Sequence, residues 1–401
     1  MDRLVIGCLG RARRVCRQWL QWIVRWLLVA FWIAEPRPFP PDTLNHSQWG
    51  EHRFVKIHKL KLHYVEKGSS DKPLMLFLHG LPDFWYTWRH QLHHFSREYW
   101  TIALDLPGFG QSEKPIYSIT YKLNNLAGVV KEFVTVLGKS ECILVGSEAG
   151  AMLGWHIINQ YPETVSKYVM IGMPSVGVLQ ELYIRRALPL KVLLRSALYS
   201  RLRSLAVHLA RADDYAIFDR LLGATAKPQD VEAYKYTFAQ PLALERVVEA
   251  FHENFKDFLL LKEYDFRVRK SANIPGLFLF DDCLIDANAY IYMLLNIYRP
   301  LETRFLPRAG SLTHQTDPTT VNRIISDFLL EDGYLKAQLN RSTINPTERK
   351  IIVKEVCDNC HTKDHSRSRE ASDHHLECVA NCGGKEHWHY MSTGARFPIS
   401  S

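Results

Sequence analysis

Residues 142–150 read Cys142-Ile143-Leu144-Val145-Gly146-Ser147-Glu148-Ala149-Gly150, and this stretch decides how the chain folds. Its first four residues are apolar and predict a buried strand, while helical periodicity begins after the second glycine. The two glycines let the helix backbone come close to the strand. The middle one of the three residues between them is therefore held in a strained turn. Such a turn exposes one side chain above the sheet, where a strand–turn–helix presents its nucleophile. That residue is Glu148, and a carboxylate there indicates attack on a saturated carbon through an alkyl ester rather than acyl transfer.

The composition fits one large folded domain with tails. The chain has 401 residues, of which 47% are apolar and 23% charged, and this is enough for a domain of about 300 residues. The formal charge of +8 owes much to arginines in the first 37 residues, and no basic stripe with interleaved aromatic residues follows. We therefore expect no nucleic-acid partner. The eight cysteines imply no disulfide framework in the core, and the sequence does not indicate an oligomeric state.

Apolar runs of strand length alternate with helical patterns from residue 54 to about residue 330. This alternation predicts an α/β fold, with a mostly parallel sheet covered by helices on both faces. Helical patterns alone fill residues 173–270, which predicts a helical cap inserted after the sixth strand. The core is then expected in two parts, residues 49–172 and 271–332. The predicted strands are 60–65, 74–78, 101–104, 142–145, 168–171, 277–280 and 304–306.

Residues 1–35 predict a membrane anchor. The stretch 19–34 is almost entirely apolar and rich in tryptophan, and five arginines precede it. This pattern is typical of a spanning helix with a cytoplasmic N-terminus and a luminal domain, in the endoplasmic reticulum or secretory pathway. Because the stretch is short and contains Arg25, a helix lying in the plane of the interface is a second interpretation and a cleaved signal a third. All three predict contact with a lipid bilayer, and the proline-rich residues 36–48 predict a stiff linker.

Three further segments add to the stretch at 142–150: His79-Gly80-Leu81-Pro82-Asp83-Phe84-Trp85-Tyr86-Thr87-Trp88-Arg89, Asp105-Leu106-Pro107-Gly108-Phe109-Gly110-Gln111-Ser112 and Ala233-Tyr234-Lys235-Tyr236-Thr237-Phe238-Ala239-Gln240-Pro241. Together they closely resemble the epoxide hydrolase family of α/β-hydrolases, in particular its membrane-anchored epoxide hydrolase 3/4-like group. The resemblance covers residues 49–332. It implies an α/β-hydrolase fold with an inserted cap, hydrolysis of epoxides through an alkyl ester, and no cofactor in the hydrolase domain.

The resemblance assigns roles to the two turns. The backbone N–H groups of Leu81 and Ala149 correspond to the oxyanion hole of the family, and backbone donors survive changes of side chain. Glu148 stands where the family has an aspartate nucleophile. Its additional methylene displaces the carboxylate by about 1.5 Å, in chemistry where a misplacement of about 1 Å costs on the order of a hundredfold in rate.

The other catalytic positions are also altered. Leu284 stands where the family has the acid that orients the catalytic histidine, although aspartates lie nearby, Asp282 among them. Ser311 stands at the position of that histidine, and His314 follows three residues later. Leucine cannot orient an imidazole, and serine cannot activate the water that hydrolyses the ester.

In this family the cap presents two tyrosine hydroxyls that bind the epoxide oxygen and act as the acid. Phe251 stands at one of these positions, so that hydroxyl is absent. The second position falls near Tyr199, and Tyr236 is a further candidate donor. The predicted lining of the ligand pocket is His79, Phe84, Trp85, Tyr199, Tyr236 and Phe251.

Two hypotheses follow from these substitutions. In the first, the chain keeps the hydrolase scaffold without efficient catalysis, and its capped apolar pocket binds a small lipophilic ligand or the chain binds a protein partner. In the second, the chain is an active hydrolase in which Glu148 is the nucleophile, His314 the base and Asp282 or a neighbouring aspartate the orienting acid. We favour the first, because the second requires three compensating shifts.

Residues 333–401 form a polar tail rich in cysteine and histidine, where the resemblance ends. Cys357 and Cys360 are three positions apart, and Cys378 and Cys382 are four apart. Thiolates at such spacing can bind one zinc ion from tight turns. Two disulfides are an alternative in an oxidising lumen, and a tail with incidental cysteines is another.

Overall fold

A computed structural model describes residues 34–188, 201–223, 226–259, 274–280, 287–298, 300–306, 312–330, 351–355 and 389–391. Within them one sheet runs in the order β1-β2-β4-β3-β5-β6-β7-β8-β9-β10. Neighbours from β4 to β9 pair in parallel, whereas β1, β2 and β10 run antiparallel to their neighbours. The strands are β1 Glu51–Ile57, β2 Leu60–Lys67, β3 Leu74–Leu78, β4 Trp100–Leu104, β5 Cys142–Ser147, β6 Val165–Ile171, β7 Gly276–Phe280, β8 Leu301–Phe305, β9 Ile351–Glu355 and β10 His389–Met391.

The central strands form where apolar runs can be covered on both faces. Every residue of β3, β4, β5 and β7 is buried, as expected for parallel strands between two layers of helices. The seven predicted strands are present, with bounds that differ by up to three residues. Strand β1 was not predicted, because this edge strand, Glu-His-Arg-Phe-Val-Lys-Ile, is polar and largely exposed. Strands β9 and β10 were not predicted either, and they lie within the predicted tail.

Helices cover the sheet and fill the segment between β6 and β7. The only regular elements in the described part of that segment are helices, between residues 176 and 259, at the place predicted for the cap. The helices are α1 Arg89–Phe95, α2 Leu123–Val136, α3 Ala149–Gln160, α4 Val176–Ile184, α5 Arg203–Tyr215, α6 Ile217–Leu222, α7 Pro228–Ala239, α8 Ala243–Leu259, α9 Ala287–Ile297, α10 Thr313–Thr316 and α11 Pro318–Leu330.

The sheet order brings the predicted functional loops to one edge. Leu78, the last residue of β3, pairs with Leu104 at the end of β4 and with Gly146 near the end of β5. Phe280 and Phe305, at the ends of β7 and β8, pair with each other. Because these strands are parallel, their carboxyl ends open on the same side of the sheet, which is where α/β proteins bind ligands.

No helix among residues 34–188 and the later described ranges combines the length and the apolar character needed to cross a bilayer. Residues 1–33, which contain most of the predicted anchor, lie outside the described residues.

Candidate active site

The turn after β5 has the strained geometry that its sequence predicts. Glu148 has φ 48° and ψ −113°, and α3 begins at the next residue. A Cβ atom on Gly146 would lie 2.6 Å from the carbonyl oxygen of Gly150, and one on Gly150 would lie 2.2 Å from the carbonyl oxygen of Leu78. Only glycine fits at both positions, because real Cβ atoms do not approach backbone this closely. Close backbone packing on either side therefore sets the position of the half-buried Glu148.

The turn after β3 packs directly against this residue. A Cβ atom on Gly80 would lie 3.1 Å from both Cβ and Oε2 of Glu148. The Glu148 carboxylate thus lies over the backbone of the turn that carries Leu81, the predicted oxyanion donor. The second predicted donor, Ala149, is the first residue of α3, where helical N–H groups have no intrahelical acceptor.

His79 stabilises the turn after β3 through hydrogen bonds between both of its ring nitrogens and backbone groups. Its Nδ1–H donates to the carbonyl oxygen of Gly80 at 2.9 Å, and its Nε2 accepts the N–H of Leu106 at 3.1 Å. The ring is fully buried, and burial lowers the pKa of His79. Both ring nitrogens are therefore committed to backbone groups while the imidazole stays neutral.

Asp105 stabilises the turns that follow β3 and β4. It accepts N–H groups of Trp85 at 2.8 Å and Gln111 at 3.0 Å, and its Oδ2 lies 2.7 Å from Nδ1 of His63. Burial alone would raise the pKa of Asp105, but the bond and charge of His63 hold it below its ordinary value. His63 in turn lies 2.9 Å from Nδ1 of His52. The Asp105 segment was recognised in the sequence, but the two histidines were not, because they lie on β1 and β2, far from Asp105 in the sequence.

His314 occupies a buried position against the turn that follows β3. Its Nε2 shares a hydrogen bond of 2.6 Å with Oγ1 of Thr87, and its ring lies 4.3 Å from that of Trp88. Its Nδ1 has no hydrogen-bond partner among the described residues. Burial, with a smaller contribution from the charge of Arg89, lowers the pKa of His314 to about 3. Among the described residues, the structure pairs His314 with Thr87.

The predicted pocket residues divide into two groups. Phe84 and Trp85 are each only 1% exposed, and Phe84 packs edge-on against Tyr234 with ring centroids 5.1 Å apart. Phe84 therefore belongs to the contact between core and cap, whereas Trp85 packs edge-on against His52 of β1. Tyr236 on α7 and Phe251 on α8 are half-buried.

Several predicted site residues lie outside the described residues, so their roles stay predictions. Asp282 and Leu284 follow β7 in the sequence, and Ser311 directly precedes the described stretch that contains α10. These residues are Tyr199, Asp282, Leu284, Ser311, Cys357, Cys360, Cys378 and Cys382. Among the described residues, no cluster of three or more histidine, cysteine or acidic side chains could hold a metal ion.

A polar cluster that the sequence did not reveal joins the core to the cap. We call it the cap junction, and its members are Asp83, Tyr86, Arg89, Asp230, Tyr234 and Gln315. From the cap helix α7, the Tyr234 hydroxyl donates to Oδ1 of Asp83 at 2.6 Å. Gln315 Nε2 donates to that hydroxyl at 2.8 Å. Arg89 Nη2 donates to Oδ2 of Asp230, also on α7, at 3.0 Å.

Asp83 is the unusual member of the cap junction. It is 1% exposed, and its Oδ2 has no hydrogen-bond partner among the described residues. Burial raises the pKa of Asp83 to about 7, although the Tyr234 hydroxyl and the Phe84 N–H oppose the shift. Sequence reasoning could not find this group, because Asp83 and Tyr234 are 151 residues apart.

Comparisons with known proteins show which family this chain resembles. A family model described as alpha/beta hydrolase fold matches residues 73–211. Epoxide hydrolase 4 of Mus musculus is 31% identical over 345 residues, covering 82% of this chain and 93% of that protein. Epoxide hydrolase 4 of Homo sapiens is 32% identical over 311 residues, covering 74% of this chain and 83% of that protein.

Solved structures show the same fold. The epoxide hydrolase of Bacillus megaterium, in complex with an inhibitor, superposes with a TM-score of 0.59 at 24% identity over 69% of this chain and 99% of that one. Epoxide hydrolase VrEH1 of Vigna radiata gives a TM-score of 0.54 at 24% identity over 71% of this chain and 99% of that one. The solved structures share the fold, the sequence relatives show the family, and the chain belongs to the epoxide hydrolase family of α/β-hydrolases.

Proposed function

We propose that this chain is an epoxide hydrolase-like protein that has lost efficient turnover and keeps its capped scaffold to bind a small lipophilic ligand. The observation that carries the proposal is the position of His314. A general base must reach the proton that it removes and needs a pKa near the working pH. His314 is bonded to Thr87 and has a pKa of about 3, and serine stands where the family has its histidine.

The chemistry explains why a missing base matters most. A carboxylate that attacks an epoxide carbon breaks the C–O bond and leaves an alkoxide, which takes a proton from a nearby donor. Water must then attack the resulting ester, and a histidine base normally takes the proton from that water. Glu148 lies against the oxyanion turn at Gly80, which supports the first step. Without a base the second step is slow, so the ester would persist.

The test uses the purified full chain with styrene oxide and with a fatty-acid epoxide. We expect no diol above the level given by a Glu148→Gln variant, which keeps the size of the side chain and removes its charge. Intact-mass measurement after the incubation would detect an ester that persists on Glu148. Diol formation that disappears in Glu148→Gln would favour the alternative, an active hydrolase with Glu148 as nucleophile and His314 as base.

We also propose that residues 1–35 attach the protein to a membrane of the endoplasmic reticulum or secretory pathway. The run of tryptophans and aliphatic residues behind a cluster of arginines supports this attachment. Flotation of the full chain with lipid vesicles, compared with a chain that starts at Glu35, would test it. Recovery of both chains at the bottom of the gradient would contradict it.

Zinc binding by the four tail cysteines is a separate proposal. Thiolates bind zinc only when they are reduced and deprotonated. Metal analysis of protein purified under reducing conditions should therefore give one zinc per chain, and Cys357→Ser should abolish it. Protein without zinc in that analysis would contradict the proposal.

A further inference from the structure

Arg37, in the linker that follows the predicted anchor, is clamped onto the cap. Its Nη1 and Nη2 donate to the two carboxylate oxygens of Asp214 at 2.7 Å each, and its Nε donates to Oε1 of Glu232 at 2.7 Å. The Arg37 side chain is only 8% exposed. Arginine is suited to such a contact, because its planar fork matches a carboxylate in two parallel hydrogen bonds.

Backbone groups strengthen this contact. The N–H of Glu35 donates to Oδ1 of Asp214 at 3.1 Å, and Nε2 of Gln240 donates to the carbonyl oxygen of Arg37 at 3.4 Å. Asp214 lies at the end of α5, whereas Glu232 and Gln240 lie in α7 and at its C-terminal end. Residues 35–37 are therefore fixed against two helical segments of the cap.

The cap backbone is strained at this contact. Asp213, Asp214 and Tyr215 have φ values of 54°, 50° and 60°. Left-handed conformations are uncommon for residues other than glycine, and three in succession persist only where the surroundings hold them. The Arg37 guanidinium also lies 5.9 Å from the centre of the Tyr215 ring. The strained turn thus presents both the carboxylate and the ring to Arg37.

The clamp fixes where the predicted membrane segment leaves the folded domain. The apolar stretch ends at residue 34, one residue before the Glu35 N–H that binds Asp214. One residue spans at most about 3.6 Å. The stretch therefore leaves the domain at the cap, whether it spans the bilayer or lies in its interface.

Several exposed apolar side chains lie on the cap or next to it, and others, such as Phe54 and Leu330, lie elsewhere. Leu242 is 44% exposed and lies two residues after Gln240, which binds the linker. Leu202 and Leu209 are exposed on the cap segment that ends at Asp214. Ile116, Tyr117 and Ile119 are exposed on the loop before α2, and Asn254 of α8 bonds the neighbouring backbone at Tyr121 and Leu123.

We propose that the cap rests on the lipid bilayer, with the surface around Leu242 in contact with lipid and the clamp at Arg37 holding it there. This orientation rests on the proposed membrane attachment and adds to it a defined face. A lipophilic ligand dissolved in the bilayer would then meet the cap before the core. The surface of α2 around Val136 would face the aqueous phase.

The test places a dansyl amino acid at one position of the full chain, either Leu242 or Val136. Val136 is 49% exposed and lies at the far end of α2, so it is a matched exposed site on the core. Vesicles of equimolar phosphatidylcholine and phosphatidylserine should shift the emission at Leu242 to the blue and leave the emission at Val136 unchanged. Arg37→Gln should lose most of the shift at Leu242 while flotation stays the same.

Two further variants separate orientation from folding. Asp214→Asn removes the same ion pair from the cap side and should lose the same shift. Arg53→Gln removes an exposed arginine that pairs with Glu51 and Glu66 on β1 and β2, and it should keep the shift. A shift at Val136 alone, equal shifts at both sites, or a shift that survives in both clamp variants would overturn the orientation. Failure of the full chain to float would overturn the membrane attachment as well.

Discussion

The elbow at Glu148 and the cap junction at Asp83 both lie in the functional region, but different kinds of contact hold them in place. Backbone contacts make the elbow, since Gly146 and Gly150 leave no room for any other residue. Side chains make the cap junction, where each polar group depends on a partner far away in the sequence. The comparison teaches that a few neighbouring residues can determine the geometry of a turn, whereas polar contacts between core and cap form only once distant segments have come together.

The largest loss of folding stability is expected from a substitution in the cap junction. Asp230→Ala removes the carboxylate that pairs with Arg89, whose side chain is 6% exposed. Leaving a buried charge without its partner costs about 4 kcal/mol. Urea denaturation would measure the loss, and Glu163→Ala, which removes an exposed ion pair with Lys131, is the control. Equal losses in the two variants would mean that the junction contributes no more than a surface contact.

One added methyl group at the elbow should lower the stability of the fold almost as much. Gly150→Ala would place a Cβ atom 2.2 Å from the carbonyl oxygen of Leu78, and relieving such a clash costs about 3 kcal/mol. Gly128→Ala is the matched control, because its Cβ would lie 3.9 Å from the hydroxyl of Tyr161. That control should match or slightly exceed the stability of the original chain. If both variants denature at the same urea concentration, the elbow is less rigid than the structure indicates.

The cap junction also predicts that the stability of the fold depends on pH. The folded state raises the pKa of Asp83 to about 7, so it binds the proton more tightly than the unfolded chain. This contribution is complete only below the ordinary carboxyl pKa of the unfolded chain, and it is lost as the pH rises from there through the folded pKa of about 7. Between about pH 5 and pH 8 it removes roughly 2.5 kcal/mol of stability.

Asp83→Asn should remove that loss, because its amide oxygen can still accept the Tyr234 hydroxyl without a charge. Thermal unfolding of both proteins across this pH range isolates the contribution, since His314 and the other titrating groups are common to both. Parallel curves for the two proteins would show that Asp83 is already ionised in the fold.

The smallest effect concerns strain at the elbow. Glu148→Gly should stabilise the chain by about 1 kcal/mol, because glycine adopts a positive φ without penalty. The same substitution at Glu132, within α2, should destabilise by about 1 kcal/mol. A destabilised Glu148→Gly would mean that contacts of the carboxylate outweigh the strain of its backbone.

The sequence predicts what depends on local pattern. Strands such as β3 and β5 are continuous apolar runs, and the two glycines of the elbow fix its turn within five residues. The clamp at Arg37 and the bond from Tyr234 to Asp83 have no local signature, because their partners are more than 150 residues away. The position of His314 falls between these cases. Its sequence marks it as a candidate base, but only the fold shows that Thr87 holds its ring.

The last two described strands have a consequence for shortening the chain. β9 pairs in parallel with β8, and β10 covers β9 with three residues. Without them β8 would present unpaired N–H and C=O groups, which can pair with another molecule. A protein cut after residue 332, the predicted end of the hydrolase region, should therefore self-associate in size-exclusion chromatography, and expression of the hydrolase region should extend through residue 391.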